Sequence, residues 1–520
     1  MGGHQPGHVG PHSWSFFRSR IIIMVVQKEI NHPRFIVTVM AACAVSLLAI
    51  MISKYDIETS LAVALGSFIS TLAAFRWFWS TRYGWGHYLV SIRPLFQTVS
   101  YILVILGPLP ALAGVHRFFF YPGAMDYYWY LYLMAPLAFI FYEVGYELSL
   151  GKMTRALHRI SPQTLAVNSN IITFTLYIFV ILFFIHFTSK YGIDESGISS
   201  ETMKQGLGIK ALFYLYDGLL GACLFLITTK WLKCDPKNKL LFIIMGLTLF
   251  GIVALSSART RAVTMSAMCF AAFQLSNNNK FYKSIKYLLM IPILFILTTA
   301  IRQGSFMGYH KAGISVTTRA ELIAKALQNQ KVEAGTEKRI KIDYGFRVNG
   351  IEWAGALLRS HDTLGTPFMW GENFFWAAYE AVPGVFLPFP KRSSEDVTNL
   401  HFKLPVWDPS GFMIASAVAD GGFLGIIIGY LAVGFFTGTL WRYAASPKTP
   451  QYAKLACLAL IPGLMRPEPL GTYIFMNIRH GILFAFLFWI LITVGKLFFP
   501  PTRYKRFFLN KHLLETNPGD

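Results

Sequence analysis

Residues 239–266 read KLLFIIMGLTLFGIVALSSARTRAVTMS. From Leu240 to Leu255 nothing is charged, and then Arg259 and Arg261 interrupt the apolar sequence. Apolar runs near or above the length needed to cross a bilayer recur along the whole chain. In hydrocarbon every backbone polar group must be satisfied internally, so such runs are helices or strands of a closed barrel. These are too long and too uniformly apolar for barrel strands, which alternate in character. The composition agrees: of 520 residues 54% are hydrophobic and only 14% charged, with mean hydropathy +0.46. A soluble globular protein is excluded and an all-α polytopic membrane protein is expected.

Twelve spans are expected, near 35–53, 59–76, 95–114, 127–148, 168–188, 211–229, 239–256, 262–276, 284–300, 412–440, 453–466 and 480–499. The net charge of +21 need not mean nucleic acid, because cytoplasmic loops of membrane proteins collect Lys and Arg. With the N-terminus inside and the sides alternating, 25 of the 47 basic residues fall on cytoplasmic segments, and the bias holds at every turn. Both termini are therefore expected in the cytoplasm. The division is an N-terminal segment 1–34, nine spans over 35–300, a large external loop 301–411, three spans over 412–499 and a tail 500–520. The loop carries an amphipathic stretch around 317–343. It also carries an aromatic stretch, GENFFWAAYEAVPGVFLPFPKR (371–392), which its prolines keep from crossing and which is expected to lie against the membrane surface.

The five cysteines lack metal-type spacing, and four of them lie in apolar spans, so neither a disulfide nor a cysteine metal site is expected. His4, His8 and His12 are separated by glycine and proline, which argues against a helical metal site. No metal and no cofactor is expected.

Five arginines run against the charge rule. Arg259, Arg261 and Arg302 fall at the external edge, and Arg466 and Arg479 flank the last external loop. Each alone is explained by snorkelling to headgroups or by pairing with an acid inside a span, such as Asp217 or Asp420. As a group they suit a different task. Guanidinium groups fit phosphate oxygens bidentately, so their convergence would hold a diphosphate whose lipid tail stays in the bilayer. Charge kept at a membrane edge is by default a functional signal. After the loop, Gly421, Gly422, Gly425 and Gly429 follow Asp420 at the start of the tenth span. Close helix packing explains the small residues but not the acid. Pro462 and Gly463 suggest a broken or re-entrant eleventh span.

In order and spacing these features resemble the Wzy-type repeat-unit polymerases of the O-antigen polymerase and ligase superfamily. The likeness is carried by SSARTRAVTMSAM, by IRQGS at the start of the loop, by WGENFFWAAYEAVPGVFLPFPKR and by SGFMIASAVADGGFLG. It covers residues 240–440 well and the first half by topology. The resemblance implies a GT-C-like fold of about twelve spans with one large periplasmic loop, in a bacterial inner membrane. It implies transfer of a growing glycan from a polyprenyl diphosphate carrier onto another lipid-linked repeat unit, without metal or nucleotide. The partners implied are the polyprenyl-diphosphate-linked oligosaccharide, membrane lipids, a flippase and a chain-length regulator, and no nucleic acid. Arg259, Arg302 and Arg479, then Arg261 and Arg466, are the expected diphosphate ligands. Asp408, Asp420 and His480 are the candidate bases. Where O-antigen ligases carry a loop histidine this chain has Ser410 and Gly411, and His401 comes too early, which weakens the ligase alternative. The other alternative is a transporter of lipid-linked oligosaccharide.

Overall fold

The computed structural model describes residues 33–53, 56–80, 92–113, 121, 123–150, 170–191, 207–233, 236–255, 268–269, 272, 350–383, 386–387, 392–404, 412–446, 448–464 and 470–498. All regular structure among them is helical. Six of these helices are long and apolar enough to cross a membrane. The first two, α1 (Pro33–Ile52) and α2 (Ile57–Ala74), pack as an antiparallel pair. Asp56 caps α2: its Oδ2 accepts the Thr59 amide hydrogen at 3.0 Å, satisfying one of the orphan donors of a first turn. A short α3 (Arg76–Ser80) follows.

The third expected span is not one regular helix. Helix α4 (Ile92–Tyr101) runs into a π-turn, Ile102–Leu106, and Pro108 separates that turn from α5 (Leu109–Leu112). Proline has no amide hydrogen to carry the ladder onward. Helix α6 (Tyr128–Leu150) continues from a 3-10 turn at Ala124–Tyr127, and α7 (Asn170–Tyr191), α8 (Leu207–Lys233) and α9 (Pro236–Leu255) match the fifth to seventh expected spans. The eighth and ninth expected spans fall almost wholly outside the described residues, as does the amphipathic stretch of the loop.

Three helices of the loop are described: α10 (Glu352–Leu364), α11 (Glu372–Ala381) and α12 (Ser394–His401). Then come α13 (Met413–Ala445), α14 (Gln451–Leu464) and α15 (Leu470–Phe498). At 1.5 Å per residue α14 is about 20 Å long, short of a 30 Å hydrocarbon core. Pro462 is accommodated in its last turn.

The centre of the bundle is α13 against α6. Their backbones touch because glycines line the contact. A Cβ on Gly434 would overlap the Tyr142 carbonyl, one on Gly438 the Ser149 hydroxyl, and one on Gly145 the Leu431 carbonyl. The glycines of this span that pack against α6 are thus Gly434 and Gly438, further along than the cluster that stands out in the sequence. Most of the sequence cluster does something else. Gly421 and Gly422 leave helical geometry, Gly422 at φ 55°, a region open to glycine. Gly425 gives room for the first part of the helix, since a Cβ there would overlap the Ala417 carbonyl, whereas Gly429 is a packing glycine as expected: a Cβ on it would overlap Leu470 of α15 and lie 3.5 Å from the Ala417 Cβ. In a straight helix residues 417 and 429 are about 18 Å apart. Residues 413–420 therefore fold back over the start of the long segment that follows.

The outward faces of the long helices are apolar. Ile36, Met40 and Met51 on α1, Leu240 and Leu247 on α9, and Ile478, Ile482, Phe486 and Trp489 on α15 are all exposed. Exposed stripes of this size belong in lipid. The ends expected to share a side also meet. Arg34 donates to the Phe78 carbonyl at 3.5 Å, and Arg442 to that of Ser149 at 3.4 Å. At the other end, α10 packs on the turn before α6.

Candidate functional site

Helix α15 begins at Leu470, ten residues before the expected last span. No proline interrupts residues 470–498. Arg479 and His480 therefore lie within the helix and do not flank a loop. Both line a partly open cavity of about 110 Å³ between α8, α14 and α15, to which α11 of the loop also contributes. Its wall includes Asp217 and Gly218 from α8, Gly463 from α14, Asn477 from α15 and Glu380 from α11.

The polar groups here are held by the fold. Arg479 Nη1 donates to the Ala381 carbonyl at 3.2 Å, an orphan acceptor at the C-terminal end of α11 that favours a cation. Arg479 Nη2 lies 3.0 Å from His480 Nε2. Guanidinium can only donate, so Nε2 accepts and the imidazole proton sits on Nδ1. His480 thus commits its basic nitrogen to Arg479, which removes the natural reason to make it a general base. Glu380 Oε2 accepts the Ser394 amide hydrogen at 3.2 Å, at the start of α12, and the Ser394 and Thr472 hydroxyls are 3.1 Å apart. One cation and two carboxylates face one space. Close helix packing makes that possible: a Cβ on Gly218 would overlap Phe484 and the Ala459 carbonyl.

Asp420 has a different task. Its Oδ1 accepts the amide hydrogens of Gly371 at 3.1 Å and Asn373 at 3.0 Å, across the break in α13. This is an N-terminal cap for α11 supplied by another segment. Around it Met369 N–H donates to the Ala419 carbonyl at 2.8 Å, and Asn373 bonds the Ser416 hydroxyl and carbonyl. Asp420 fastens the loop to the bundle, and it is not among the residues lining the cavity.

Of the residues nominated from sequence, Arg479 and His480 come together. Asp420 stands apart with a structural partner. Arg259, Arg261, Arg302, Arg466 and Asp408 lie outside the described residues. Two cavity carboxylates were not nominated as bases. Asp217 was visible as an acid inside a span. Glu380 carried no signal, because only the fold of the loop brings it to α15.

A second polar cluster lies at the opposite end of the bundle from the loop helices. Arg93 at the start of α4 pairs with Glu143, its Nε donating to Oε1 at 3.0 Å, and reaches Glu147 at 3.3 Å. Gln97 Nε2 donates to Glu143 Oε1 at 2.9 Å, and the guanidinium stands 5.1 Å from the Tyr146 ring centroid. Charge counting places Arg93 among surface cations of a cytoplasmic loop; the fold buries it, 9% exposed, because Glu143 and Glu147 are one helical turn apart and share its face. Protein-family models, curated proteins and solved structures were all compared with the chain, and none matches it.

Proposed function

We propose that this chain is a glycosyltransferase of the periplasmic membrane face that polymerises polyprenyl-diphosphate-linked oligosaccharide repeat units. The observation that carries the reading is the cavity in which Arg479 shares a space with Asp217 and Glu380 beneath a loop helix. Loss of a diphosphate from an anomeric carbon puts growing negative charge on the bridging oxygen. A fixed guanidinium in a water-poor site stabilises that charge more in the transition state than in the ground state. The acceptor hydroxyl needs a base within hydrogen-bond reach. Asp217 from the bundle and Glu380 from the loop are the carboxylates positioned for it, in place of His480 and Asp420.

The cavity of about 110 Å³ is smaller than the pockets that enclose whole small ligands, roughly 300–1,000 Å³. It is sized for reacting groups, a phosphate and a hydroxyl, and not for whole sugars. Arg259, Arg261, Arg302 and Arg466, outside the described residues, stay the further diphosphate ligands that the sequence suggests. The frame is a GT-C-like bundle of about twelve spans in a bacterial inner membrane, with both termini cytoplasmic. A flippase supplies its substrate and a chain-length regulator acts on its product.

The test is a set of purified variants given lipid-diphosphate-linked repeat units. Arg479→Ala lowers the rate of polymer formation by about 100- to 1,000-fold, the usual loss for one oxyanion donor. Asp217→Asn or Glu380→Gln loses turnover with carrier binding kept. Full activity in all three overturns the assignment. One observation favours a second reading, transport of the lipid-linked oligosaccharide. The Arg93–Glu143–Glu147 cluster supplies buried charge at the far end of the bundle, where a crossing path needs it. Under that reading the protein moves single units and makes no polymer.

A further inference from the structure

We infer that the C-terminal end of α11 is seated in the outer leaflet of the bilayer, with acyl chains against the exposed Val382 and Phe386. The inference rests on helix contacts, on surface exposure and on taking the Lys496 end of α15 as the cytoplasmic one, and does not depend on the proposed reaction.

The contacts of α11 run down α15. A Cβ on Gly471 would meet the Ala377 Cβ at 2.6 Å and the Phe374 Cα at 3.3 Å. The Phe374 and Phe475 ring centroids are 4.8 Å apart, and at the end of α11 the Ala381 carbonyl meets Arg479. Helix α11 thus descends beside α15 from residue 471 to residue 479, over about 12 Å of rise. The chain then returns, since Ser394 is back at Thr472.

The depth follows from α15. Lys496 is the basic residue nearest its end. Some 30 Å of hydrocarbon is about 20 residues of helix, so counting back from Lys496 brings the far edge near Met476. Arg479 and Ala381 lie about one turn inside that edge. Placing the basic edge nearer the centre of α15 moves the far edge outward and sets α11 deeper.

The surface of α15 agrees. Its exposed apolar stripe starts at Ile478, and Leu470, Tyr473 and Ile474 above are buried, Gly471 under α11. The covering segment shows its own apolar groups instead: Phe375 is 62% exposed, Val382 38% and Phe386 75%. Its inner side, Asn373, Ala377 and Ala381, is buried. A helix with apolar groups on both faces, one against a spanning helix and the other uncovered, has lipid as the fitting partner. Trp370, beside Gly421, adds an exposed ring of the kind that collects at membrane interfaces.

The test is spin-label accessibility in phosphatidylcholine nanodiscs. In a cysteine-free chain, single nitroxides are placed at 375, 382, 386, at Ile478 as the lipid reference and at the exposed Asp362 of α10 as the water reference. The expected result is that 382 and 386 follow Ile478, accessible to oxygen and shielded from a water-soluble nickel chelate, while 375 falls between Ile478 and Asp362. Nickel accessibility like that of Asp362 at 382 and 386 overturns the inference and leaves the face to a glycan or to a second copy. Unmodified protein gives the second arm: a phosphatidylcholine with a photoreactive acyl chain cross-links both the peptide that carries Val382 and Phe386 and 478–489. Cross-links confined to 478–489 contradict the inference.

Discussion

Asp420 distinguishes a fastening acid from a catalytic one. Removing its carboxylate in Asp420→Ala leaves the Gly371 and Asn373 amides without the Oδ1 that now accepts both. A bond to a charged group is worth about 1.5–3 kcal/mol, and loss of a capping side chain costs about 0.5–2 kcal/mol. The two bonds share one oxygen, so their sum overstates the loss, and about 2 kcal/mol is the reasonable total. That is roughly 30-fold in the equilibrium between docked and undocked α11. Asp420→Asn keeps a carbonyl acceptor in the same place and loses only the charge, costing about 1 kcal/mol and roughly fivefold. The assay is amide hydrogen exchange in nanodiscs, read on peptides covering 369–376, with polymer formation followed in parallel. Exchange quickens about 30-fold in the alanine variant and about fivefold in the asparagine variant, and polymer formation falls in the same order. Asp420→Asn with normal exchange and no turnover would refute the reasoning, because it would make the charge itself the catalytic agent.

Three further outcomes are expected. Gly434→Ala forces a methyl into the Tyr142 carbonyl and parts α6 from α13; overpacking of this kind costs about 1–3 kcal/mol, seen as a lower unfolding temperature in detergent, while Gly251→Ala, in open space, leaves that temperature unchanged or raises it. Arg93→Ala leaves Glu143 buried and unpaired, a loss of about 3–5 kcal/mol, and Arg93→Leu with Glu143→Leu recovers most of the folded yield; failure to recover assigns the pair a role beyond stability. The Thr59 amide bond holds the Asp56 carboxyl below its usual pKa of 3.8. Its cap therefore acts fully above the unfolded value and is lost as the pH falls through the folded one, so the first turn of α2 loses exchange protection on acidification below pH 4 in wild type but not in Asp56→Ala.

Much of the architecture was legible because hydrocarbon leaves few choices: an apolar run such as 240–255 is a helix wherever it is placed. The breaks were harder to read. Gly421 and Gly422 looked like packing residues, since sequence spacing does not tell a glycine that admits another helix from one that lets a helix fold back on itself. The start of α15 was misplaced because Asn477, Arg479 and His480 read as the polar edge of a span. Asn477 is satisfied by the Tyr473 carbonyl of its own helix, and Arg479 by His480 and by the Ala381 carbonyl, which is in place only once the loop folds. Arg93 was counted as surface charge because its partners lie 50 residues away or more. Of the candidate site, Arg479 stands out in the sequence by its breach of the charge rule, while Asp217 and Glu380 join it only through tertiary contacts.

The most direct measurement is to incubate purified protein in nanodiscs with lipid-diphosphate-linked repeat units and to resolve the products by length. The account predicts a ladder of lipid-linked oligomers with wild type and single units with Arg479→Ala of equal folded yield. Single units from both, or equal ladders from both, would contradict it.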